Sequence, residues 1–139
     1  MIKKIHHKDG TRFNFQTHIN EFLIDRKNTR SSEVFLVVVK PGLTTHMHNH
    51  PDMEQTFYII RGRGSIYTKK GDRGAERKAH SVNKGDVIFM PINEWHRIAC
   101  DSATNLEYLC VNSFPGGFLP GEVSSVAHAR NVLRAQKKK

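Results

Sequence analysis

Between Glu33 and Asn112 the chain never sustains a helical period for twelve residues. It breaks instead into short runs rich in β-branched and aromatic side chains. These are EVFLVVVK (Glu33–Lys40), QTFYIIRG (Gln55–Gly62), GSIYTKK (Gly64–Lys70), HSVN (His80–Asn83), DVIFM (Asp86–Met90), HRIAC (His96–Cys100) and LEYLCVN (Leu106–Asn112). Between them stand Pro41-Gly42, Gly71-Asp72-Arg73-Gly74, Lys84-Gly85, Pro91-Ile92-Asn93 and Asp101-Ser102, all residues that favour turns. Short strands at such close spacing predict an all-β sandwich or small barrel rather than an α/β fold. The first run is apolar on both alternating faces, which predicts a strand buried between two sheets.

The two ends differ in texture. Within residues 1–33, RFNFQTHI (Arg12–Ile19) alternates and predicts one edge strand. FPGGFLPG (Phe114–Gly121) reads as a loop, after which Val123, Val126, Ala127, Arg130 and Leu133 fall at helical spacing. A short C-terminal helix within Glu122–Gln136 is expected, packed on the β core or on a second subunit. The chain divides into an N-terminal strand or arm (1–33), a β core (34–113), and a loop, helix and basic tail (114–139). At 139 residues it is expected to be one domain.

A formal charge of +9 invites a nucleic-acid reading. Its distribution argues against one: +3 falls on residues 1–33, +2 on 34–113 and +4 on 114–139. Lys137, Lys138 and Lys139 read as a solvated tail, and no RNA-binding pattern of interleaved aromatic and basic residues occurs. The longest purely apolar run, Val34–Val39, has six residues, which is too short to span a membrane. The opening MIKKIHHKDG lacks the apolar stretch of a signal peptide. Two cysteines, Cys100 and Cys110, make no disulfide framework and are expected as buried free thiols. A cytoplasmic location is the expectation.

Histidine placement carries the functional signal. His46, His48 and His50 alternate along Thr45-His46-Met47-His48-Asn49-His50, and on an extended backbone alternate residues share a face. Imidazoles converging there, with carboxylate or amide side chains a few positions on, form a donor set for a divalent transition metal. His6, His7, His18, His80 and His128 have no convergent partners in the sequence.

The flanking residues are more specific. Gly42, five residues, His48-Asn49-His50, four residues, Gln55, six residues and Gly62 resemble the first signature of the cupin superfamily. The second signature is matched by Gly85, five residues, Pro91-Ile92-Asn93, two residues, His96, three residues and Cys100. The chain is thus similar to a small single-domain cupin of the conserved-barrel type. The resemblance implies an all-β, cupin-like double-stranded β-helix (jelly-roll) barrel with a short C-terminal helix, commonly a homodimer. It also implies a metal (iron, manganese, nickel or zinc) held by His48, His50, Gln55 and His96.

Three positions depart from the pattern. Gln55 stands for a glutamate, Asn93 for a glycine and Cys100 for an asparagine. Counting forward from His50, either Glu54 or Gln55 fits; counting back from Gly62 gives Gln55, which is favoured. Asn93 is acceptable because asparagine tolerates left-handed turns. His46 is expected to line the pocket or to hydrogen-bond rather than to ligate. Trp95, Phe89 and Tyr58 are expected in the core.

A metal-dependent enzyme acting on a small polar or anionic metabolite, as dioxygenase, isomerase or lyase, is the expected function. The alternative is a non-catalytic module binding a metabolite or metal in the same pocket. The expected partners are a small molecule and a second copy of the chain, not nucleic acid or membrane. A weaker possibility assigns the basic ends to an anionic surface.

Overall fold

Period-two burial dominates the computed structural model, which describes residues 1–138. Nine strands form: β1 (Thr11–Asn14), β2 (Ile19–Ile24), β3 (Ser32–Val39), β4 (Glu54–Arg61), β5 (Arg63–Lys69), β6 (Arg77–Asn83), β7 (Val87–Met90), β8 (Trp95–Cys100) and β9 (Leu106–Ser113). One helix, α1 (Ser125–Lys137), follows. Lys139, the last residue of the expected basic tail, lies outside the described residues. The strands make an antiparallel six-stranded sheet, β1-β2-β3-β9-β4-β7, and a three-stranded sheet, β6-β5-β8.

Alternation places Phe35, Val37 and Val39 of β3 beside Phe57 and Ile59 of β4 and Tyr108 of β9. These meet Ile66, Val82 and Ile98 of the smaller sheet in one apolar cluster. β3 is not buried on both faces as its composition suggested: Val34, Leu36 and Val38 stand half-buried on the other side.

The expected double-stranded β-helix (jelly-roll) barrel does not form, because neither sheet closes. β1 and β7 remain edges of the large sheet, and β6 and β8 of the small one. The physical reason lies at the crossings between sheets. Pro41 and Pro51 punctuate the segment after β3, and Pro91 follows β7; proline lacks the N–H that a continuing ladder needs. The segment between β3 and β4 forms no continuous ladder with β8; its backbone pairs there as isolated bridges, Thr44 with Ala99 and His48 with His96.

Other expectations are also corrected. RFNFQTHI is not one continuous edge strand: Arg12, Phe13 and Asn14 belong to the edge strand β1, residues 15–18 turn the chain, and Ile19 opens β2, the hairpin being pinned by Phe13, whose ring lies 5.8 Å from that of Phe22. Tyr58 and Phe89 are not core residues: they face outward, 48% and 58% exposed. Trp95 is half-buried, with the Lys69 ammonium 4.7 Å from its ring centroid. Both cysteines are buried free thiols. Gly62, which turns β4 into β5, has φ +84°, and a Cβ there would lie 2.4 Å from the Asn105 carbonyl oxygen.

The helix is docked by polar contacts as well as apolar ones. Ser124 caps it, accepting the Ala127 N–H at 3.1 Å. The Ser125 N–H and hydroxyl donate to the fully buried Glu33 carboxylate at 3.3 and 2.7 Å. A carboxylate at a helix N-terminus also interacts favourably with the helix dipole. Val126, Ala129 and Leu133 then pack against the core. Among the described residues no helix is long and apolar enough to cross a membrane.

Candidate metal centre

One loop, between β3 and β4, and one strand, β8, bring the three histidines together. His48 and His96 exchange backbone hydrogen bonds, His48 N to His96 O at 3.0 Å and His96 N to His48 O at 2.8 Å. His50 is tied to the turn before β8, its carbonyl accepting the Asn93 N–H at 2.8 Å. Asn93 has φ 65°, the left-handed conformation its position in the second motif requires. The ring centroids of His48 and His96 lie 4.4 Å apart, and those of His48 and His50 4.8 Å apart.

One ligand nitrogen from each of His48, His50 and His96 lies within 4.8 Å of the others, so this cluster is able to chelate a metal ion. Hydrogen bonding fixes two of the tautomers. His48 Nδ1 is 2.6 Å from the His46 carbonyl, and His96 Nδ1 is 2.8 Å from the Glu94 carbonyl. A carbonyl only accepts, so both Nδ1 atoms carry the proton and both Nε2 atoms keep a lone pair. The Nε2 atoms of His50 and His96 are buried without hydrogen-bond partners, and so is Gln55 Oε1. Buried polar atoms left unpaired are unfavourable in isolation and understandable as donors awaiting a cation.

Burial also keeps the imidazoles neutral, the form that binds metal. It lowers the pKa of His50 to about 3, with His48, His96 and His128 adding repulsion. His96 falls to about 4 through burial and then His48, against the opposing effect of its bond to the Glu94 carbonyl. Burial likewise lowers His48.

His48 and His50 of the cluster line a cavity of about 530 Å³. Phe35, Phe57 and Tyr108 form its apolar side, while His128 and Val132 of α1 contribute to its wall. Gln55 lines this cavity and is 6% exposed; Glu54, its neighbour on β4, faces the other side and does not line it. His46 lines the cavity and orients His48 through its carbonyl. His18 and His128 also line it, a convergence that sequence reasoning missed. Their positions depend on how the β1–β2 hairpin and α1 dock, for which no local spacing exists. His18 is lowered to about 4 by burial and then by His48 and His46.

Two open, facing sheets with a trihistidine cluster define an all-β metal-binding protein. The chain belongs to the cupin family: the cupin domain matches residues 35–112, more than half of it. An uncharacterized protein of Methanocaldococcus jannaschii is 31% identical over 78 residues, covering 56% of this chain and 56% of that protein. The chain therefore spans little more than half the length of this curated relative.

Among solved structures, the oxalate decarboxylase of Lactobacillus farciminis in its formate complex superposes with a TM-score of 0.68 at 24% identity. That match covers 79% of this chain and 32% of the other. The polyketide cyclase RemF of Streptomyces resistomycificus gives a TM-score of 0.65 at 23% identity, covering 87% of this chain and 89% of the cyclase. Likeness at this level of identity establishes the fold.

Proposed function

We propose that the protein is a metal-dependent cupin enzyme acting on a small, oxygen-bearing metabolite. The observation that carries this reading is the convergence of three neutral imidazoles, two with fixed tautomers, beside a cavity of about 530 Å³ that His48 and His50 line. His48, His50 and His96 would hold the ion through nitrogen, and Gln55 through its unpaired Oε1. Such donors suit divalent iron, manganese, nickel or zinc, and the bound ion would supply Lewis acidity or, as iron, oxygen activation. Because all four donors are neutral, the ion keeps its double charge, which favours an anionic substrate oxygen such as a carboxylate or enediolate. The apolar side of the cavity, Phe35, Phe57 and Tyr108, excludes water, and His18, His46 and His128 offer hydrogen bonds to a polar substrate.

Likeness to an oxalate decarboxylase supports a lyase acting on a small carboxylate; dioxygenase and isomerase chemistry are the competing classes. Metal analysis of the untagged protein tests the first step, with stoichiometric metal expected. Oxygen uptake and carbon dioxide release with small dicarboxylates then separate the classes. A protein that neither carries nor takes up metal overturns the proposal. One observation favours a non-catalytic binding module instead: among the described residues no carboxylate joins the three-histidine cluster as a base. A homodimer is part of the proposal, with the outer face of β4 and β7, where Tyr58, Val87 and Phe89 are exposed, covered by a second copy.

A further inference from the structure

The inner face of the large sheet carries a row of polar side chains that packing alone would not place there. Glu33, Asn112 and Gln55 stand directly opposite one another on β3, β9 and β4. They are 0%, 1% and 6% exposed. Gln55 Nε2 donates to Asn112 Oδ1 at 2.9 Å, and Asn112 Nδ2 donates to Glu33 Oε1 at 3.4 Å. Ser125 donates to both oxygens of Glu33, and Arg26 Nε lies 3.7 Å from Oε2. The Cys110 thiol donates to the same Asn112 Oδ1 at 3.5 Å. Burial raises its pKa and so keeps that proton in place.

A primary amide has one donating end and one accepting end, whereas a carboxylate only accepts. Facing Glu33, Asn112 must therefore present its NH2 group, which turns its oxygen toward Gln55. Facing that oxygen, Gln55 must present its own NH2 group, which leaves Oε1 as the free end. Oε1 is buried without a partner, and its residue lines the cavity together with His48 and His50. An amide oxygen can ligate a cation; an amide nitrogen, its lone pair drawn into the carbonyl, cannot.

We propose that Glu33, acting through Asn112, is a positioning residue that sets the polarity of the Gln55 amide, so that position 55 offers oxygen to the metal. The proposal rests on Gln55 being a metal donor. It has a direction: reversing the far end of the row reverses the near end. In Glu33→Gln the far end gains a donor, so Asn112 can turn over and the preference at Gln55 is lost. Gln55→Glu alone sets an acceptor against Asn112 Oδ1. Combined with Glu33→Gln, it lets every amide in the row turn over together and donate toward position 55.

The test uses cobalt(II) alone, added to the full chain, with affinity read by calorimetry and the donor set by the visible absorption of the bound ion. Glu33→Gln is expected to weaken binding by about ten- to a hundredfold, the usual range for residues that orient a metal ligand, and to change the cobalt spectrum. Adding Gln55→Glu to it recovers most of that loss. Ser125→Ala, which removes one donor from Glu33 but leaves the row intact, binds as wild type and serves as the control for structural loosening. Asn112→Leu breaks the same link and serves if Glu33→Gln fails to fold. A wild-type protein that takes up no cobalt overturns both the metal centre and the row's role, and wild-type binding by Gln55→Leu removes Gln55 as a donor. If both of those results hold in favour, unchanged affinity and spectrum in Glu33→Gln and Asn112→Leu, with additive effects in the double variant, overturn the positioning role alone.

Discussion

A site built to hold a cation should be a liability without one, and His50 offers the cleanest measure of that. Its Nε2 is buried without a partner, and among the described residues its side chain makes no hydrogen bond that a substitution would remove. An unsatisfied buried polar atom costs about 1–3 kcal/mol. His50→Leu removes that atom while keeping an apolar body of similar size, so the metal-free variant is expected to be more stable than wild type by about 1–2 kcal/mol at pH 7. For 139 residues the unfolding entropy is about 0.3 kcal/mol per kelvin, so this corresponds to a rise in Tm of about 3–7 °C.

The pH dependence has a definite sign. The folded pKa of His50, about 3, lies below the unfolded value of 6.5. Between those values the unfolded chain binds the proton and the folded chain does not, so wild-type stability falls as pH drops below 6.5. The loss from this residue between pH 7 and pH 5 is about 2 kcal/mol, and the leucine variant escapes it. Its advantage should therefore widen to about 3–4 kcal/mol at pH 5. Excess metal reverses the order, since a ligand at a hundred times its Kd adds about 2.7 kcal/mol to wild type and little to a variant lacking one donor. Thermal unfolding followed by circular dichroism, with chelator at pH 7 and pH 5 and with added metal at pH 7, gives all the comparisons. A chelated variant less stable than wild type at pH 7, or an advantage that does not grow at pH 5, would make His50 an ordinary structural histidine.

Leu106→Ala, at a residue with no exposed surface, is expected to cost about 2–5 kcal/mol in chemical denaturation while leaving metal affinity unchanged. Because burial lowers His48, His50 and His96, proton competition for the metal begins well below the pKa of a free imidazole. Metal affinity, read by competition with a coloured chelator, should fall less steeply between pH 7.5 and 5.5 than for free imidazole ligands, since His50 and His96 take up protons only near pH 3 and pH 4. Val87→Lys with Phe89→Lys places two charges on the exposed face of β7. Analytical ultracentrifugation should show a wild-type dimer shifted to monomer by this pair, and a wild-type monomer would dismiss the dimer.

Local spacing carried most of the metal centre. The two motifs brought out His48, His50 and His96, which converge, and singled out Asn93, whose φ of 65° is what a glycine substitute must adopt. Spacing could not decide how the sheets end, and the expected barrel is two open sheets because prolines interrupt the ladder at the crossings. Tyr58 and Phe89 were misplaced for a related reason. An aromatic residue in a strand does not declare which face it occupies until the register is known, and pairing with Met90 inward leaves Phe89 outward. β2, the second strand of the N-terminal hairpin, was missed because only Ile19 and Phe22 of INEFLI are buried, a spacing of three that hides strand alternation. His18 and His128 reach the cavity through tertiary docking and leave no trace in spacing.

The register explains how one small interior serves both stability and chemistry. Across β3, β9 and β4 the inward side chains form successive rows: Glu33, Asn112 and Gln55; Phe35, Cys110 and Phe57; Val37, Tyr108 and Ile59; then Val39 and Leu106. Polarity falls along this series from three hydrogen-bonding side chains to two aliphatic ones with no exposed surface. The apolar end excludes water and supplies most of the burial that favours folding. The polar end can then hold groups that folding alone would reject, because each finds a partner in the next strand or in α1. Gln55 Oε1 is the exception, where the row stops at the cavity with an acceptor unpaired. An unpaired acceptor at the end of an otherwise satisfied row is better explained by a ligand it faces than by a packing defect, because each link behind it holds the oxygen in place.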